Sequence, residues 1–545
     1  MVEIETIPGW LSITPPLLAI VLALVFRDVL MSLFLGVFLG AWILEAWKPF
    51  PAFSSTIGDY IVPALADTDH ASILVFSTLL GGMVGLISKS GGSLGIVARI
   101  RGWATSPERG QVSTWLMGLF IFFDDYANSL IVGSTMRPIT DKLRVSREKL
   151  AYIVDSTAAP VSSIFPISTW IGFEVGLIAA AFASVGITMD AYGAFIASIP
   201  YRFYPLFALL TVFVIAASGK DFGPMLRAEQ RARATGKVQD DDAVPLADPT
   251  GDSLAPPADI PHRAINAILP IITVIVVTIL GLYITGSSGV ERAAFDSSGA
   301  WLQAVFSEAN SYAALLWASM SGVIVALLLP AAQRLMPLRE LMSGMVEGFK
   351  AMLLALIVLV LAWSIGAITE SLHTADYVVG MTEGILSPHW VGVLVFVMSA
   401  LIAFATGTSW GTMAILMPLV VPVAHGIATS AGYAPGSSIY VGALLGAISS
   451  VLAGSVWGDH CSPISDTTIL SSMATGCDHI AHVRTQLPYA LGVGVLGMAV
   501  GDIPTGYGLS PWISLLVGSI VIVGGVLWLG KRSDEQVAPA VVEKA

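Results

Sequence analysis

Long apolar runs, separated by short polar segments, occupy most of the chain. A membrane-spanning helix needs about 20 predominantly apolar residues, and the sequence contains many windows of that kind. Nine runs predict single spans: 11–26, 29–46, 71–88, 191–218, 264–284, 311–330, 351–369, 487–501 and 510–530. The pattern therefore predicts an all-α polytopic membrane protein.

Two further apolar stretches break in the middle at polar clusters. Stretch 111–136 contains DDYANS, and stretch 390–424 contains TGTSW. Non-helical backbone at membrane depth is tolerated only inside the protein or beside water. Both stretches are therefore predicted to be re-entrant hairpins with polar tips buried in the protein.

Two other stretches, 150–185 and 437–475, are too long and too interrupted to be plain helices. Pro160, Pro166 and Pro463 lie at their interruptions, and proline removes a backbone donor and clashes with the preceding turn. We expect two broken helices, which expose carbonyls and hydroxyls that suit a small cation.

The two halves of the chain repeat, and their charges indicate opposite orientations. GLISKS begins at Gly85 and GAITES at Gly366, an offset of 366 − 85 = 281. Segment 89–110 carries four basic residues, whereas its counterpart 370–389 carries none. The positive-inside rule places the first in the cytoplasm and the second outside. Equivalent segments on opposite faces predict inverted structural repeats, the architecture of secondary transporters.

The same rule gives the topology of the whole chain. We expect about 11 transmembrane helices plus two re-entrant hairpins and two broken helices, with the N-terminus outside and a cytoplasmic C-terminus marked by Lys531 and Arg532. The predicted parts are N-terminal scaffold helices (1–70), repeat 1 (71–218), a flexible hydrophilic cytoplasmic linker (219–263), scaffold helices (264–350), repeat 2 (351–530) and a cytoplasmic tail (531–545).

Composition excludes several classes of protein. Charged residues make up 12% of the chain and hydrophobic residues 55%, whereas soluble domains carry about 25% charged residues. The net charge of −12 argues against a nucleic-acid partner. Two cysteines provide no disulfide framework, and the absence of HExxH argues against a metalloprotease. We expect no enzyme activity and no cofactor.

Charged groups at bilayer depth cost roughly 2.5–3.5 kcal/mol each on insertion scales, so a dense polar patch indicates ion handling. Asp124, Asp459 and Asp466 are the predicted Na⁺ ligands. The full set of predicted ion- and proton-binding residues is Asp124, Asp125, Asn128, Asp155, Ser156, Thr157, Thr406, Thr408, Ser409, Asp459, His460, Ser462, Ser465, Asp466 and Thr467. Burial disfavours the charged form of a carboxylate, so such a group can exchange a proton for a cation.

Five of these residues also have a simpler interpretation. Asp124 and Asp125 are alternatively solvated turn residues, and Asp466 is alternatively a helix N-cap. His460 either modulates the titration of Asp459 or only forms a hydrogen bond with a carbonyl. Asp155 either gates the site or is simply solvated.

Two further polar features do not enter the predicted set. Glu174 is alternatively half of an ion pair whose partner the sequence does not reveal. The segment CDHIAH (477–482) is predicted to be a solvated interfacial turn, because its spacing fits no standard zinc pattern.

Two long blocks, FFDDYANSLIVGSTMRPITDKLRVSREKLAYIVDSTAAPVSS (122–163) and GDHCSPISDTTILSSMATGCDHIAHVRTQLPYAL (458–491), resemble the signature blocks of the NhaC-type sodium/proton antiporter family. The resemblance implies membership of the wider ion-transporter superfamily and exchange of Na⁺, with Li⁺ as a further cargo, for H⁺ across the cell membrane. It also implies a homodimer in the lipid bilayer, whose elevator-like moving part comprises mostly residues 71–185 and 351–475.

The resemblance leaves a second function open, because relatives include exchangers that couple Na⁺ and H⁺ to organic acids such as malate and lactate. A carrier of an organic solute, including an amino acid, would use the TGTSW tip, where helix N-termini bind a carboxylate. No buried arginine is evident in the four polar clusters to pair such an anion. The sequence therefore favours the cation exchanger.

Overall fold

In a computed structural model the chain is built almost entirely from helices. The structure describes residues 9–26, 28–166, 168–245, 256–257, 260–288, 290–292, 301–302, 304–305, 308–382 and 386–534. The first eight residues, the end of the predicted tail and the middle of the predicted linker lie outside these described residues.

The helices of the first half carry both polar clusters of repeat 1. They are α1 (Gly9–Ser12), α2 (Thr14–Phe26), α3 (Val29–Leu44), α4 (Pro49–Ser55), α5 (Val62–Ala66), α6 (Thr68–Lys89), α7 (Gly92–Arg101), α8 (Pro107–Phe120), α9 (Asp125–Lys142), α10 (Arg147–Thr157), α11 (Ala159–Ser162), α12 (Ile171–Ala183), α13 (Ala191–Ser198) and α14 (Phe203–Ser218).

The helices of the second half begin with a short helix in the predicted linker. They are α15 (Gly223–Thr235), α16 (Ile265–Ser287), α17 (Ser311–Ala332), α18 (Leu338–Ser371), α19 (Thr374–Thr382), α20 (Val391–Thr406), α21 (Ser409–Ser430), α22 (Ser438–Cys461), α23 (Asp466–Thr475), α24 (His479–Leu496), α25 (Ile503–Gly506) and α26 (Pro511–Leu529).

Short irregular elements connect several of these helices. The 3₁₀ turns are Ile199–Tyr201 and Pro388–Trp390, and the π-helical turns are Thr56–Ile61 and Gly497–Asp502. Strands β1 (Lys220–Asp221) and β2 (Lys531–Arg532) pair antiparallel, with Lys220 opposite Arg532.

Nine helices in the described part of the chain are long and apolar enough to cross a membrane, or up to ten if the bent pair α13–α14 counts as one span. Two shorter apolar helices lie at Leu30–Leu44 and Ile171–Ala183. The protein is therefore mostly helical and polytopic as predicted, while the total of about 11 spans plus two hairpins stays a prediction.

The predicted interruptions coincide with real helix ends. Residues 121–124 separate α8 from α9, and residues 407–408 separate α20 from α21. In repeat 2 the break at 462–465 separates α22 from α23. Helix ends therefore fall at these polar clusters, while the re-entrant course of the two hairpins stays a prediction.

Burial is uneven and places the polar clusters at the centre. The spanning window of α22 is 89% buried, whereas those of α16 and α26 are 28% and 22% buried. Side chains such as Leu516 and Trp528 on α26 are exposed. Apolar faces exposed on outer helices suit contact with lipid tails, so the site-bearing helices lie inside the protein.

The first part of the predicted linker, 219–245, is not a flexible segment. It contains β1 and α15, whose Glu229 is fully buried and accepts a hydrogen bond from Ser146 N at 2.7 Å. Lys149 at the start of α10 forms a buried ion pair with Asp221. Charge complementarity with α10, which polar composition alone does not reveal, therefore folds this segment onto the membrane helices.

Candidate functional site

Both tips and the second helix break line one cavity of about 390 Å³. Its polar lining comes from segments far apart in sequence: Asp28, Asp124, Asp125, Tyr126, Thr169, Thr406, Thr408 and Asp466. The structure therefore brings together the tips that the sequence analysis expects to converge, and it adds Asp28, which that analysis did not include.

The first tip is held by the amide of Asn128, one turn into α9. Its Nδ2 donates to Gly118 O at 2.8 Å, to Ile121 O at 3.2 Å and to Thr157 O at 2.7 Å. Carbonyls at the end of a helix lack intrahelical partners, and the two N–H groups of this buried amide are shared among three carbonyls. Asn128 thus fixes the tip against α10, which is a structural role within the site.

The two adjacent aspartates of this tip have different surroundings. Asp124 Oδ2 accepts a hydrogen bond from Thr169 Oγ1 at 3.2 Å. Asp125 is only 2% exposed, and its Oδ2 has no hydrogen-bond partner among the described residues. An unpaired buried acceptor is costly, so Asp125 is not the solvated turn residue of the simpler interpretation.

The second tip turns at Gly407, whose φ of +72° lies in the left-handed region. A Cβ added there would lie 2.6 Å from Ile464 O, so the break of repeat 2 packs directly on this tip. Thr408 follows as the N-cap of α21, accepting a hydrogen bond from Gly411 N at 3.4 Å. Thr406 donates back to Ile402 O at 2.8 Å. At position 407, glycine is required both by the left-handed backbone conformation and by the lack of space for a Cβ.

Asp459, in the last turn of α22, is buried among three hydroxyls. Ser465 Oγ donates to its Oδ1 at 2.7 Å, and Thr467 Oγ1 and Ser409 Oγ donate to its Oδ2 at 3.2 and 3.4 Å. Ser462 in the same break donates to Phe404 O at 2.7 Å. The structure thus joins the second tip, the break and the end of α22 around one carboxylate.

Asp466 is the first residue of α23, and Ser465 is its N-cap, so the alternative of Asp466 as the N-cap is wrong. The Asp466 side chain lines the cavity, where its Oδ2 accepts a hydrogen bond from Tyr126 OH at 3.5 Å. A carboxylate in the first turn of a helix interacts favourably with the helix dipole. Helix position and cavity position are therefore compatible.

Asp155 on α10 is only 1% exposed, so the alternative that it is a solvated residue is wrong. Its Oδ2 accepts from Gln486 Nε2 at 2.8 Å and from Thr468 Oγ1 at 3.1 Å. Ser471 Oγ lies 3.5 Å from its Oδ1. Asp155 is thus the centre of a second buried cluster, beside the Asp459 cluster and separate from the cavity lining.

Among the described residues, the His460 ring bonds hydroxyl groups and not a carbonyl, while its influence on Asp459 stays a prediction. Its Nδ1 lies 2.6 Å from Tyr204 OH and its Nε2 lies 3.0 Å from Ser156 Oγ. The same Nε2 is 3.9 Å from Asp155 Oδ2. The ring therefore belongs to the Asp155 cluster, as does Ser156.

His482 joins the same cluster, and the prediction of a solvated turn at 477–482 is wrong there. It is fully buried, its Nδ1 lies 2.8 Å from Ser472 Oγ, and its Nε2 lies 2.9 Å from Gln486 Oε1. Cys477 is also buried. The helix α24 turns these residues inward, which the local spacing of polar residues does not reveal.

A buried arginine lies beside the first broken helix, outside the four polar clusters of the sequence analysis. Arg202 is fully buried and its Nη1 lies 2.9 Å from Oε2 of Glu174, which identifies the missing partner of that glutamate. The same guanidinium donates to Ser163 O. Arg202 is neutralised by Glu174 and does not line the cavity, so it offers no free positive charge to an anion there.

Thr157 completes the predicted set without reaching a carboxylate. Its Oγ1 donates to Ile153 O and Val154 O at 2.9 and 3.1 Å. Three further side chains, Gln486, Thr468 and His482, lie near Asp155 but are not in the predicted set. Thr468 is the last residue of the polar cluster at 458–468, whereas Gln486 and His482 lie outside the four clusters. A glutamine on an apolar helix was the one available signal for Gln486.

Comparison with known sequences identifies related proteins. The sequence profile described as "Na⁺/H⁺ antiporter family" matches residues 166–501, more than half of the chain. A Haemophilus influenzae protein described as uncharacterized is 34% identical over 526 residues, covering 94% of this chain and 95% of that protein.

Two antiporters match over shorter segments. The Na⁺/H⁺ antiporter NhaC of Alkalihalophilus pseudofirmus is 28% identical over 151 residues, covering 27% of this chain and 29% of that protein. The malate-2H⁺/Na⁺-lactate antiporter of Bacillus subtilis is 26% identical over 152 residues, again covering 27% and 29%.

Proposed function

The chain belongs to the Na⁺/H⁺ antiporter family, and from this we propose that it exchanges Na⁺, with Li⁺ as a further cargo, for H⁺ across the cytoplasmic membrane of the cell. Members of the family are transporters, so the protein is a membrane-embedded antiporter-type transporter and not an enzyme. Na⁺ and H⁺ are its cargo, and it needs no cofactor.

The observation that carries the proposal is the set of hydroxyls around Asp459. Ser465, Thr467 and Ser409 place three side-chain oxygens within 2.7–3.4 Å of this carboxylate. A hydroxyl has lone pairs as well as a proton, so the same groups can turn their oxygens toward a cation bound at Asp459. Small hard cations prefer such oxygen ligands.

Asp155 supplies the second half of the exchange in this proposal. Two imidazoles lie near its Oδ2, with Nε2 of His482 at 3.8 Å and Nε2 of His460 at 3.9 Å. A neutral imidazole has one nitrogen that donates a hydrogen bond and one that accepts, so these rings can relay a proton to or from the carboxylate. We assign proton carriage to Asp155 and cation binding to Asp459, with Asp124, Asp125 and Asp466 receiving the cation in the cavity.

Alternating access completes the proposal. An elevator motion of residues 71–185 and 351–475 against the scaffold helices (1–70 and 264–350) in a homodimer is what the family resemblance implies. It is supported by the cavity, which lies between Asp28 of the proposed scaffold and the tips of both repeats. We place the N-terminus outside and the linker (219–263) and tail (531–545) in the cytoplasm.

Proteoliposomes that contain the full chain and a pH-sensitive dye test the exchange. Na⁺ added without any organic solute should dissipate an imposed pH gradient. A pH gradient that stays unchanged until a dicarboxylate or an amino acid is added would contradict Na⁺/H⁺ exchange.

A pair of variants tests the assignment of Asp459. Asp459→Asn keeps the size of the side chain but removes its charge, and should abolish exchange while the protein remains monodisperse in detergent. The matched control is Asp376→Asn, which alters an 82% exposed carboxylate that pairs with His373 outside the site. Exchange at wild-type rate in Asp459→Asn would reduce Asp459 to a structural residue.

Coupling to an organic solute is the second candidate function, and the cavity volume is the observation that favours it. The similar Bacillus subtilis protein is named as an antiporter of malate and lactate. An organic anion fits this cavity poorly, however, because its charged lining consists of four aspartates.

A further inference from the structure

We propose that His479, Ser472 and His482, here called the relay trio, form the path along which a proton moves between the protein surface and Asp155. The inference rests on the Na⁺/H⁺ exchange proposed above and deepens it, because it names the groups that supply the proton-carrying carboxylate. The trio lies on α23 and α24, and none of its members is in the predicted set of ion- and proton-binding residues.

A continuous chain of polar atoms runs inward from His479. Its Nδ1 lies 3.0 Å from Ser472 Oγ, and the same oxygen lies 2.8 Å from Nδ1 of His482. Nε2 of His482 is 3.8 Å from Oδ2 of Asp155. Ser472 and His482 are fully buried, whereas His479 is partly exposed. Ile480, the next residue, is 66% exposed, so the outer end of the chain of polar atoms reaches the protein surface.

Gln486 fixes which nitrogen of His482 carries the proton in the neutral ring. The Nε2 group of Gln486 donates to Asp155 Oδ2 at 2.8 Å and to His460 O, both of which are acceptors. Oε1 of the same amide therefore faces Nε2 of His482 at 2.9 Å and accepts a hydrogen bond from it. Because a neutral imidazole has one donor and one acceptor nitrogen, Nδ1 of neutral His482 is an acceptor.

The neutral trio is one proton short of a complete set of hydrogen bonds. Nε2 of His479 donates to Pro463 O at 2.6 Å, so Nδ1 of neutral His479 is an acceptor as well. Ser472 has a single hydroxyl proton for both Nδ1 atoms, and Thr468 O at 2.8 Å competes for it. A buried acceptor without a donor is destabilising. One added proton removes the deficit, because one ring then donates to Ser472 Oγ while Ser472 donates to the other ring.

The same arrangement moves the proton inward. A proton added at Nδ1 of His479 is donated to Ser472 Oγ, whose own proton passes to Nδ1 of His482. Nε2 of His482 then releases its proton to Oδ2 of Asp155. One proton enters, one leaves, and both rings are neutral again. The last step closes the 3.8 Å gap, and hydrogen bonds used for proton transfer are often long in a resting structure.

The charged and titratable groups around the trio favour its inner end. Among the carboxylates of the described residues, only that of Asp155 lies within 4.0 Å of a ring nitrogen of the trio, and Nε2 of His460 is 3.9 Å from the same oxygen. At the outer end, Asp478 caps α24 and accepts from Ala481 N at 2.8 Å. Opposite charges attract more strongly at short range, so the added charge is drawn toward Asp155. The other such groups on the elements packed there are Cys477, Arg137, Arg484 and two ion pairs, Arg147–Asp141 and Arg231–Glu148.

Exchange by a variant at the entry of the path tests the proposal. His479→Gln can keep an N–H near Pro463 O but has no titratable nitrogen. Loss of a proton-transfer group should lower the maximal rate of Na⁺-driven pH change in proteoliposomes about tenfold or more. The KM for Na⁺ should stay unchanged, because the groups around Asp459 are intact. The loss should grow as the pH rises, since fewer protons then reach Asp155 without the relay.

His425→Gln is the matched control. His425 lies on α21, and its Nδ1 is 2.8 Å from Tyr440 OH, outside the trio. The control should exchange at the wild-type rate. A wild-type rate in His479→Gln, or an equal loss in both variants, overturns the path.

Titration of the ¹⁵N-histidine-labelled full-length protein by NMR gives a readout that a purely structural role leaves unchanged. The two rings share one added proton through Ser472, so His479 and His482 should titrate in one common step. The variants His479→Gln and His482→Gln assign the signals. Ser472→Ala removes the linking hydroxyl and should separate the two titrations, whereas His425→Gln should keep the common step. Independent titrations in the wild-type protein, or a common step that persists in Ser472→Ala, overturn the path.

The two measurements distinguish failure of this proposal from failure of the proposed function. Na⁺-driven pH changes in the wild-type protein, together with independent titrations of the two rings, would overturn the path and leave Na⁺/H⁺ exchange intact. A common titration that Ser472→Ala separates, in a protein without Na⁺-driven pH changes, would support the proton site and contradict Na⁺/H⁺ exchange.

Discussion

Thr468 donates a hydrogen bond to Asp155 at 3.1 Å across a sequence separation of 313 residues. The preceding residue, Thr467, donates to Asp459 at 3.2 Å. Two consecutive hydroxyls in the first turn of α23 therefore hold two different buried carboxylates. If a cation binds at Asp459, as proposed above, a shift of this short helix would change the hydrogen bond to Asp155 and would couple the two carboxylates directly.

The two threonines provide a matched pair of variants. Valine has nearly the shape of threonine without the hydroxyl. A hydrogen bond to a charged group contributes about 1.5–3 kcal/mol, which corresponds to roughly tenfold or more. Thr467→Val should raise the apparent KM for Na⁺ by about that factor. Thr468→Val should instead alter the pH profile of exchange. Identical effects of both variants on KM and on the pH profile would exclude separate roles.

The tip at Gly407 predicts a specific sensitivity to a single methyl group. Gly407→Ala should destabilise the protein by more than the roughly 1–2 kcal/mol of left-handed strain, because its Cβ would also meet Ile464 O. Gly432→Ala is the control, since Gly432 has φ +83° and no atom of the described residues lies within 4 Å of the added Cβ. Thermal unfolding in detergent measures the difference. Equal losses of thermal stability in both variants would show that the tip and the break are not in close contact at position 407.

The buried ion pair between Lys149 and Asp221 predicts a non-additive pair of mutations. Lys149→Met leaves Asp221 buried with only uncharged donors such as Tyr489, whose hydroxyl lies 2.9 Å away. Breaking a buried pair on one side costs about 3–5 kcal/mol. The double variant Lys149→Met/Asp221→Leu should recover most of that loss in unfolding experiments. A double variant as unstable as the sum of the single ones would refute the pairing.

Glu229 predicts a pH dependence of stability for the packing of segment 219–245. Burial raises the pKa of Glu229 above its ordinary value, against the opposing effect of Lys149. A raised pKa in the folded state contributes stability at low pH, and this is lost as the pH rises through the folded-state pKa. Glu229→Gln is uncharged throughout, so its stability relative to wild type should increase from about pH 4 upward. A difference that decreases with pH would mean that Lys149 dominates.

The parts of the site that could be predicted depend on local pattern. Pro463 and the hydroxyls around it indicate a broken helix, and the structure places the break at 462–465. Ser465 and Thr467 follow Asp459 closely in sequence, and their hydroxyls do reach its carboxylate. Short-range spacing across a helix break is sufficient to bring these groups together.

The other contacts depend on tertiary packing that one sequence does not display. Gln486 reaches Asp155 across 331 residues, and nothing in its apolar neighbourhood indicates that contact. From the sequence, Asp28 is predicted only to lie between two helices. The packing of α3 beside the tips places it in the cavity lining. Folding of 219–245 likewise depends on partners such as Lys149 in a distant helix.

The ion pair between Glu174 and Arg202 has a consequence for biogenesis. The two residues are 28 positions apart and both fully buried. During synthesis the N-terminal part of a chain emerges first, so Glu174 leaves the ribosome before Arg202 does. A lone charge at bilayer depth is expensive, and insertion of α12 therefore has to wait for α14. The two helices enter the membrane as one unit, and loss of Arg202 would first be detected as failed insertion.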